Sequence, residues 1–158
     1  GMGMESARSW LAARGFEDRI REFNVSSATV DLAAQALGVE PGCIAKTLSF
    51  YDGDSAMLIL AAGNAKIDNH KFKEQFGFKA KMLSPTDALA FTGHAVGGIC
   101  PFGLTNPLRV YLDVSLRSYP VVYPACGTSS SAVSLTCSEL EEASEAMGWV
   151  DVTKQPAQ

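Results

Sequence analysis

Two features of the sequence could do chemistry together. Lys46 is the cation in an otherwise apolar strand pattern, and about fifty residues later comes Gly97-Gly98-Ile99-Cys100-Pro101-Phe102-Gly103, with three glycines, a proline and no charge. Glycine allows positive φ and close backbone approach, while proline fixes φ and removes a donor, so the stretch reads as a rigid loop with exposed amides. Amides and an ammonium suit a polar ligand that is anionic or bears a carbonyl. Burying an ammonium costs several kcal/mol unless it is compensated, so Lys46 requires a ligand, a carboxylate such as Asp113, or a route for its head to water.

Several familiar chemistries lack their residues. Neither GxxxxGK[ST] nor GxGxxG occurs, which argues against ATP and NAD, and Gly127-Thr128-Ser129-Ser130-Ser131 offers hydroxyls without the GxSxG elbow of a serine hydrolase. His70 and His94 have no histidine or cysteine three to five positions on, so no metal and no cofactor is expected. Cys100 with His94 admits a thiol nucleophile, but no orienting acid follows from the spacing. Cys43, Cys100, Cys126 and Cys137 form no paired framework and read as free thiols of a reducing cytoplasm.

The elements that position these residues follow from periodicity and punctuation. Met4 to Arg14 has helical spacing with Gly15 as its stop, Ile20 to Val25 reads as a strand, and Ser26, Ser27 and Thr29 offer caps for a helix that Gly38 ends. From Cys43 to Tyr51 the period becomes two, placing Ile44, Lys46, Leu48 and Phe50 on one face and Cys43, Ala45, Thr47 and Ser49 on the other. Asp52-Gly53-Asp54 marks a hairpin and Ser55 to Ala62 is the returning central strand. Asp68 caps a helix through Phe76, Lys79 to Leu83 reads as a strand, and Ser84-Pro85-Thr86-Asp87 starts a helix that Gly93 ends. His94 to Pro107 is a long shaped loop. Strands are expected at Arg109 to Asp113, Val121 to Ala125 and Val133 to Thr136, then a last helix with Ser138 and Glu141 as its capping box, running to Met147 and closed by Gly148. That order implies a mixed-sheet α/β fold without regular βαβ alternation.

The string Ala45-Lys46-Thr47-Leu48, the Gly97 to Gly103 loop and Tyr111-Leu112-Asp113 together resemble the YbaK and prolyl-tRNA-synthetase-associated editing domains, over roughly residues 5 to 150. The resemblance implies a YbaK-like single α/β domain over 1–158, with a mixed, barrel-like sheet flanked by helices. It implies a free-standing aminoacyl-tRNA deacylase, a carboxylic ester hydrolase that cleaves a wrong amino acid from the 3′-terminal ribose. The alternative is a non-catalytic module that captures tRNA or a synthetase in the same pocket. Lys46 falls on the family's important lysine and Gly97 to Pro101 on its GxxxP loop. Lys46 is thus expected to hold a terminal phosphate or the ester carbonyl, with the amides of Gly97, Gly98 and Ile99 facing the carbonyl or ribose. Cys100, Pro101, Phe102, Asp113 and Gly127 are expected around the substrate. Many relatives carry a basic segment where this chain has Ala125-Cys126-Gly127-Thr128-Ser129. The candidate residues removed are alanine, cysteine, serine and threonine.

Composition is compatible with those expectations. A chain of 158 residues, 47% hydrophobic and 19% charged, supports one core, and its longest apolar run is too short to span a bilayer. A net charge of -4 argues against a wide nucleic-acid grip but permits local contact with the 3′ acceptor end, for which Lys66, Lys71 and Lys73 are candidates. Gly1 to Gly3 reads as a tag remnant or a disordered start.

Overall fold

The computed structural model describes residues 2–155. Gly1 and residues 156–158 lie outside them, so the reading of Gly1 as a remnant is untouched, whereas Met2 and Gly3 belong to the first helix. That helix, α1 (Met2–Ala13), buries Ala7 and Leu11 and is pinned by the Trp10 indole N–H, which donates to the Ala143 carbonyl at 2.7 Å. A strand β1 (Ile20–Glu22) follows, shorter than the expected Ile20 to Val25, and leads to α2 (Val30–Leu37). Thr29 caps α2 by accepting from the Leu32 amide, and Gly38 ends it in the left-handed conformation.

The hairpin forms as its pattern predicts, with β2 (Ile44–Asp52) and β3 (Ser55–Ala62) antiparallel from Ala45↔Ala62 to Asp52↔Ser55. Ala56 to Ala62 are all buried, because β3 is covered on both faces. On one side Leu58 and Leu60 pack with Phe102, Leu112, Leu116, Leu135 and Leu140. On the other, Met57 and Ile59 pack with Phe50, Phe72, Val150 and Val152. After the short β4 (Lys66–Ile67) come α3 (Asn69–Phe76), whose Phe72 stacks 5.0 Å from Phe50, and α4 (Pro85–Thr92). The Tyr51 hydroxyl donates to the Asp87 carboxylate and so fastens α4 to β2.

The second half contributes β5 (Arg109–Asp113), β6 (Tyr123–Pro124), β7 (Ser131–Val133), α5 (Cys137–Ser144), β8 (Gly148–Val150) and β9 (Thr153–Lys154). The main sheet runs β6-β2-β3-β5-β8, antiparallel only at the hairpin. Single bridges Val122↔Leu135 and Ala125↔Ala132 carry it on to β7, which pairs with β1, while β4 pairs with β9 to one side. The result is a single α/β domain with a curled mixed sheet, a half-barrel flanked by helices.

Four expectations change. Lys79 to Leu83 is not a strand: it meets β2 at one bridge, Phe50↔Met82, before turning into the Ser84 cap. The expected strand at Val121 to Ala125 shrinks to β6 and that at Val133 to Thr136 moves back to β7, Ser131–Val133, since outside these ranges only single bridges hold the chain. The last capping box uses Thr136 and Glu139, because a start at Cys137 turns Leu140 and Ala143 into the core. Gly148 therefore opens β8 instead of closing a helix, and Glu145 is the left-handed cap with φ 53°.

Candidate functional site

Sheet topology leaves a gap beside Lys46. On its outer edge β2 pairs with β6 only at Ile44 and Ala45. Farther along, the Lys81 to Leu83 segment bonds to it, with the Tyr51 amide donating to Lys81 O at 2.9 Å and the Leu83 amide to Ser49 O at 3.1 Å. Between these contacts, Lys46 to Leu48 have no strand neighbour on that edge among the described residues. A cleft of about 390 Å³ occupies the gap. Its walls are the segment from Ser27 to Ala33, β2 itself, Met82 to Ala88, the loop at Val96, Gly97 and Ile99, and the turn-and-strand residues Tyr123, Ala125, Ser131 and Ala132.

Lys46 lines this cleft, and its half-buried ammonium donates to the carbonyls of Gly63, at 3.2 Å, and Ala65. It neither reaches open water alone nor pairs with Asp113. An ammonium has three N–H donors, so one remains for a ligand. Burial, and then the like charge of Lys66, hold the Lys46 pKa below the ordinary lysine value. The two carbonyls orient the head without neutralising it.

The glycine loop divides its labour. Gly97 sits at φ 99° on the cleft wall, and Ile99 lines the same wall. The amides of both donate to no acceptor among the described residues. The Gly98 amide is different: it donates to Ala95 O at 2.9 Å, and the Gly98 carbonyl accepts from the Gly127 amide at 3.1 Å. A Cβ on Gly98 would lie 2.6 Å from the backbone of Thr128, so this glycine serves close approach between two chain segments. Gly127, at φ 90°, is packed against Gly3 behind that contact.

Cys100, Pro101 and Phe102 are buried behind the wall. Pro101 borders a second cavity of about 400 Å³ with Trp10, Leu104 and Glu145, so one loop partitions two cavities. Cys100 Sγ lies 3.4 Å from His94 Nε2, as a thiol pair requires, but burial pushes the thiol pKa up and the His94 pKa down. His94 Nε2 also faces Phe102 O at 2.7 Å. The thiolate form is disfavoured there and the sulfur does not border the cleft.

Asp113 is fully buried away from the cleft. It accepts from the amides of Ser115 and Val152, at 2.9 and 2.8 Å, and from the Thr153 hydroxyl at 2.7 Å, tying β5 to the segment before β9. Lys66 is exposed on β4, Lys73 is exposed on α3, and Lys71 is engaged with Asp151 and Thr153 O at 3.1 and 2.9 Å. Of the three, Lys66 alone acts electrostatically on Lys46. The four cysteines are free, and no three His, Cys, Asp or Glu side chains gather as metal ligands among the described residues.

Sequence reasoning did not assign Thr47 and Ser49, which share the strand face opposite Lys46 and line the cleft. The period-two pattern held the signal, since both are polar residues on a strand whose outer edge is only partly paired.

The profile of the family described as Aminoacyl-tRNA editing domain matches residues 25–143. The uncharacterized YwhH protein of Bacillus subtilis (strain 168) is 51% identical over 154 residues, 97% of this chain and 98% of that protein. Proline--tRNA ligase of Shouchella clausii is 32% identical over 104 residues, 65% of this chain but 18% of the ligase. A crystal structure of a candidate trans-editing enzyme for prolyl tRNA synthetase superposes with a TM-score of 0.88 at 32% identity over 98% of both chains. The crystal structure of protein APE2540 gives 0.83 at 27% identity, over 94% of this chain and 99% of that one.

Proposed function

The chain belongs to the aminoacyl-tRNA editing domain family, and from that premise we propose that it is a cytoplasmic, free-standing deacylase that removes a small, wrongly attached amino acid from the 3′ end of a tRNA. The observation that supports this reading is the cleft itself, lined by Lys46, whose ammonium two carbonyls orient, and by Gly97 and Ile99, whose amides have no acceptor among the described residues. Lys46 offers its third donor to the terminal phosphate or ester carbonyl, and Lys66 adds positive potential at Lys46.

Hydrolysis needs one water. Its oxygen adds to the acyl carbon, the carbonyl electron pair moves onto oxygen, and the amides of Gly97 and Ile99 stabilise that charge as it develops. The ester C–O bond then breaks, and the ribose oxygen leaves with a proton that came from the water. Removing one such donor typically costs about 10²- to 10³-fold in rate. Among the described residues the cleft lining holds no carboxylate and no histidine, so the proton travels through water or a hydroxyl of the substrate.

That missing base also favours a second reading, a module that captures aminoacyl-tRNA or a synthetase without hydrolysis. A panel of tRNAs charged with alanine, cysteine, serine, threonine and proline separates the two. The deacylase releases amino acid without added metal or nucleotide, and Lys46→Ala lowers kcat/KM by about 10²-fold or more. Full activity in Lys46→Ala overturns the mechanism; binding with no release from any tRNA supports capture.

A further inference from the structure

The floor of the cleft is the row Ala45, Thr47, Ser49, alternate residues of β2 whose side chains share one face. Thr47 Oγ1 is sealed from solvent and has no hydrogen-bond partner. Two neighbouring hydroxyls on the opposite wall are engaged: Ser27 Oγ donates to Ser129 O at 2.6 Å, and Ser131 Oγ bonds to Thr128. Thr47 is thus the cleft-lining hydroxyl whose desolvation is already complete and whose bonding capacity is unused.

Such a hydroxyl loses nothing by turning toward a ligand. Rotation about the Thr47 Cα–Cβ bond breaks no hydrogen bond, and a ligand atom that donates or accepts there relieves an unsatisfied buried group. The surrounding walls, from Val30, Ile44, Leu83 and Ile99, are branched and apolar, so they limit size without offering a polar partner. A site of this kind discriminates weakly by one methylene and more strongly by whether the buried hydroxyl is answered.

We infer that Thr47 reads the side chain of the bound acyl group, and that the preferred substrates are esters of small hydroxyl-bearing amino acids, serine and threonine. This rests on the deacylase reading above and narrows its substrate class. Serine and 2-aminobutyrate isolate the effect, because they differ by hydroxyl against methyl at nearly equal size.

The test is hydrolysis of tRNA charged with serine, with 2-aminobutyrate and with alanine by the wild type and by Thr47→Val, Thr47→Ala and Thr47→Ser, each monitored for thermal midpoint. The wild type is expected to favour the seryl over the 2-aminobutyryl ester by about 10- to 100-fold in kcat/KM. Thr47→Val, nearly the same shape, brings that ratio toward one by slowing serine release alone, and Thr47→Ser keeps it. If Thr47→Val does not fold, Thr47→Ala removes the same hydroxyl without the bulk. A ratio near one in the wild type, or an unchanged ratio in both hydroxyl-free variants, overturns the inference while leaving deacylation intact. Absence of release from every ester by the wild type overturns the deacylase reading and this inference with it.

Discussion

Lys46 and Asp113 look alike in the sequence, each an isolated charge in an apolar strand, yet the structure uses them in opposite ways. Burial and Lys66 depress the Lys46 pKa, so the protonated amine that binds an anion or carbonyl is lost at lower pH than an exposed lysine would lose it. The unfolded chain holds that proton more tightly, so charged Lys46 opposes folding at neutral pH, and this penalty fades as pH rises from the folded pKa to the ordinary lysine value of the unfolded chain. The profile of kcat/KM against pH is expected to show an alkaline fall below the ordinary lysine range, and Lys66→Ala should move that fall upward. Asp113 instead closes the structure, accepting from two amides and a hydroxyl in the core. Asp113→Ala leaves three buried donors unanswered, at about 1–3 kcal/mol for each group. A large drop in the urea midpoint is expected, with KM unaltered in whatever fraction stays folded; a raised KM at unchanged stability would return Asp113 to the binding site.

Between elements, the decisive contact is the seam where Gly98 meets Gly127 and Thr128. A methyl group at Gly98 meets backbone at 2.6 Å, which cannot be relieved by a side-chain rotation. Gly98→Ala should push the loop off its support, displace Gly97 and Ile99 from the cleft wall, and lower both kcat and the thermal midpoint. Retention of both would mean the loop relaxes without consequence. The hairpin, the loop and most caps were legible because each carries a local signal: alternation in Ile44 to Asp52, Asp-Gly in the turn, Ser84 before Pro85. The strands β4, β8 and β9 were not, since two or three residues are too few to show a period and their pairing is decided by distant chain. Two overlapping capping patterns, Thr136 with Glu139 and Ser138 with Glu141, satisfy the same local rule, and only burial of Leu140 and Ala143 selects the first. Likewise Lys46 and the glycine loop were readable as partners, but the cleft between them depends on where β6 stops and Lys81 to Leu83 begins along one strand edge.

Across the molecule, the cleft draws on five separate segments, and they are not held equally. The inner wall is β2, backed by its hairpin partner β3, which core covers on both faces. The outer wall, with Ala28, Val30, Ser131 and Ala132, is held by the three-residue ladder of β1 with β7, Ile20↔Val133 to Glu22↔Ser131, by the single bridge Ala125↔Ala132 and by a small cluster of Ala34, Leu37, Ile44 and Ala132. That ladder extends by the Phe23 amide donating to Ser130 O at 2.8 Å and by the Ser27 contacts to Ser129. Among the described residues no other strand pairs with β1, so the outer wall is held more thinly than the inner one, a shutter against a fixed jamb. Native-state deuterium uptake should therefore be rapid at Phe23 and Ser27 and slowest at Leu58 to Ala61, because small units open without the core. A non-hydrolysable seryl-adenosine amide should slow uptake at Phe23 and Ser27 while leaving β3 as it was. Equal uptake in the two walls would make the cleft rigid, and the rate at which the shutter opens would then have no hold on how quickly a tRNA end is admitted and released.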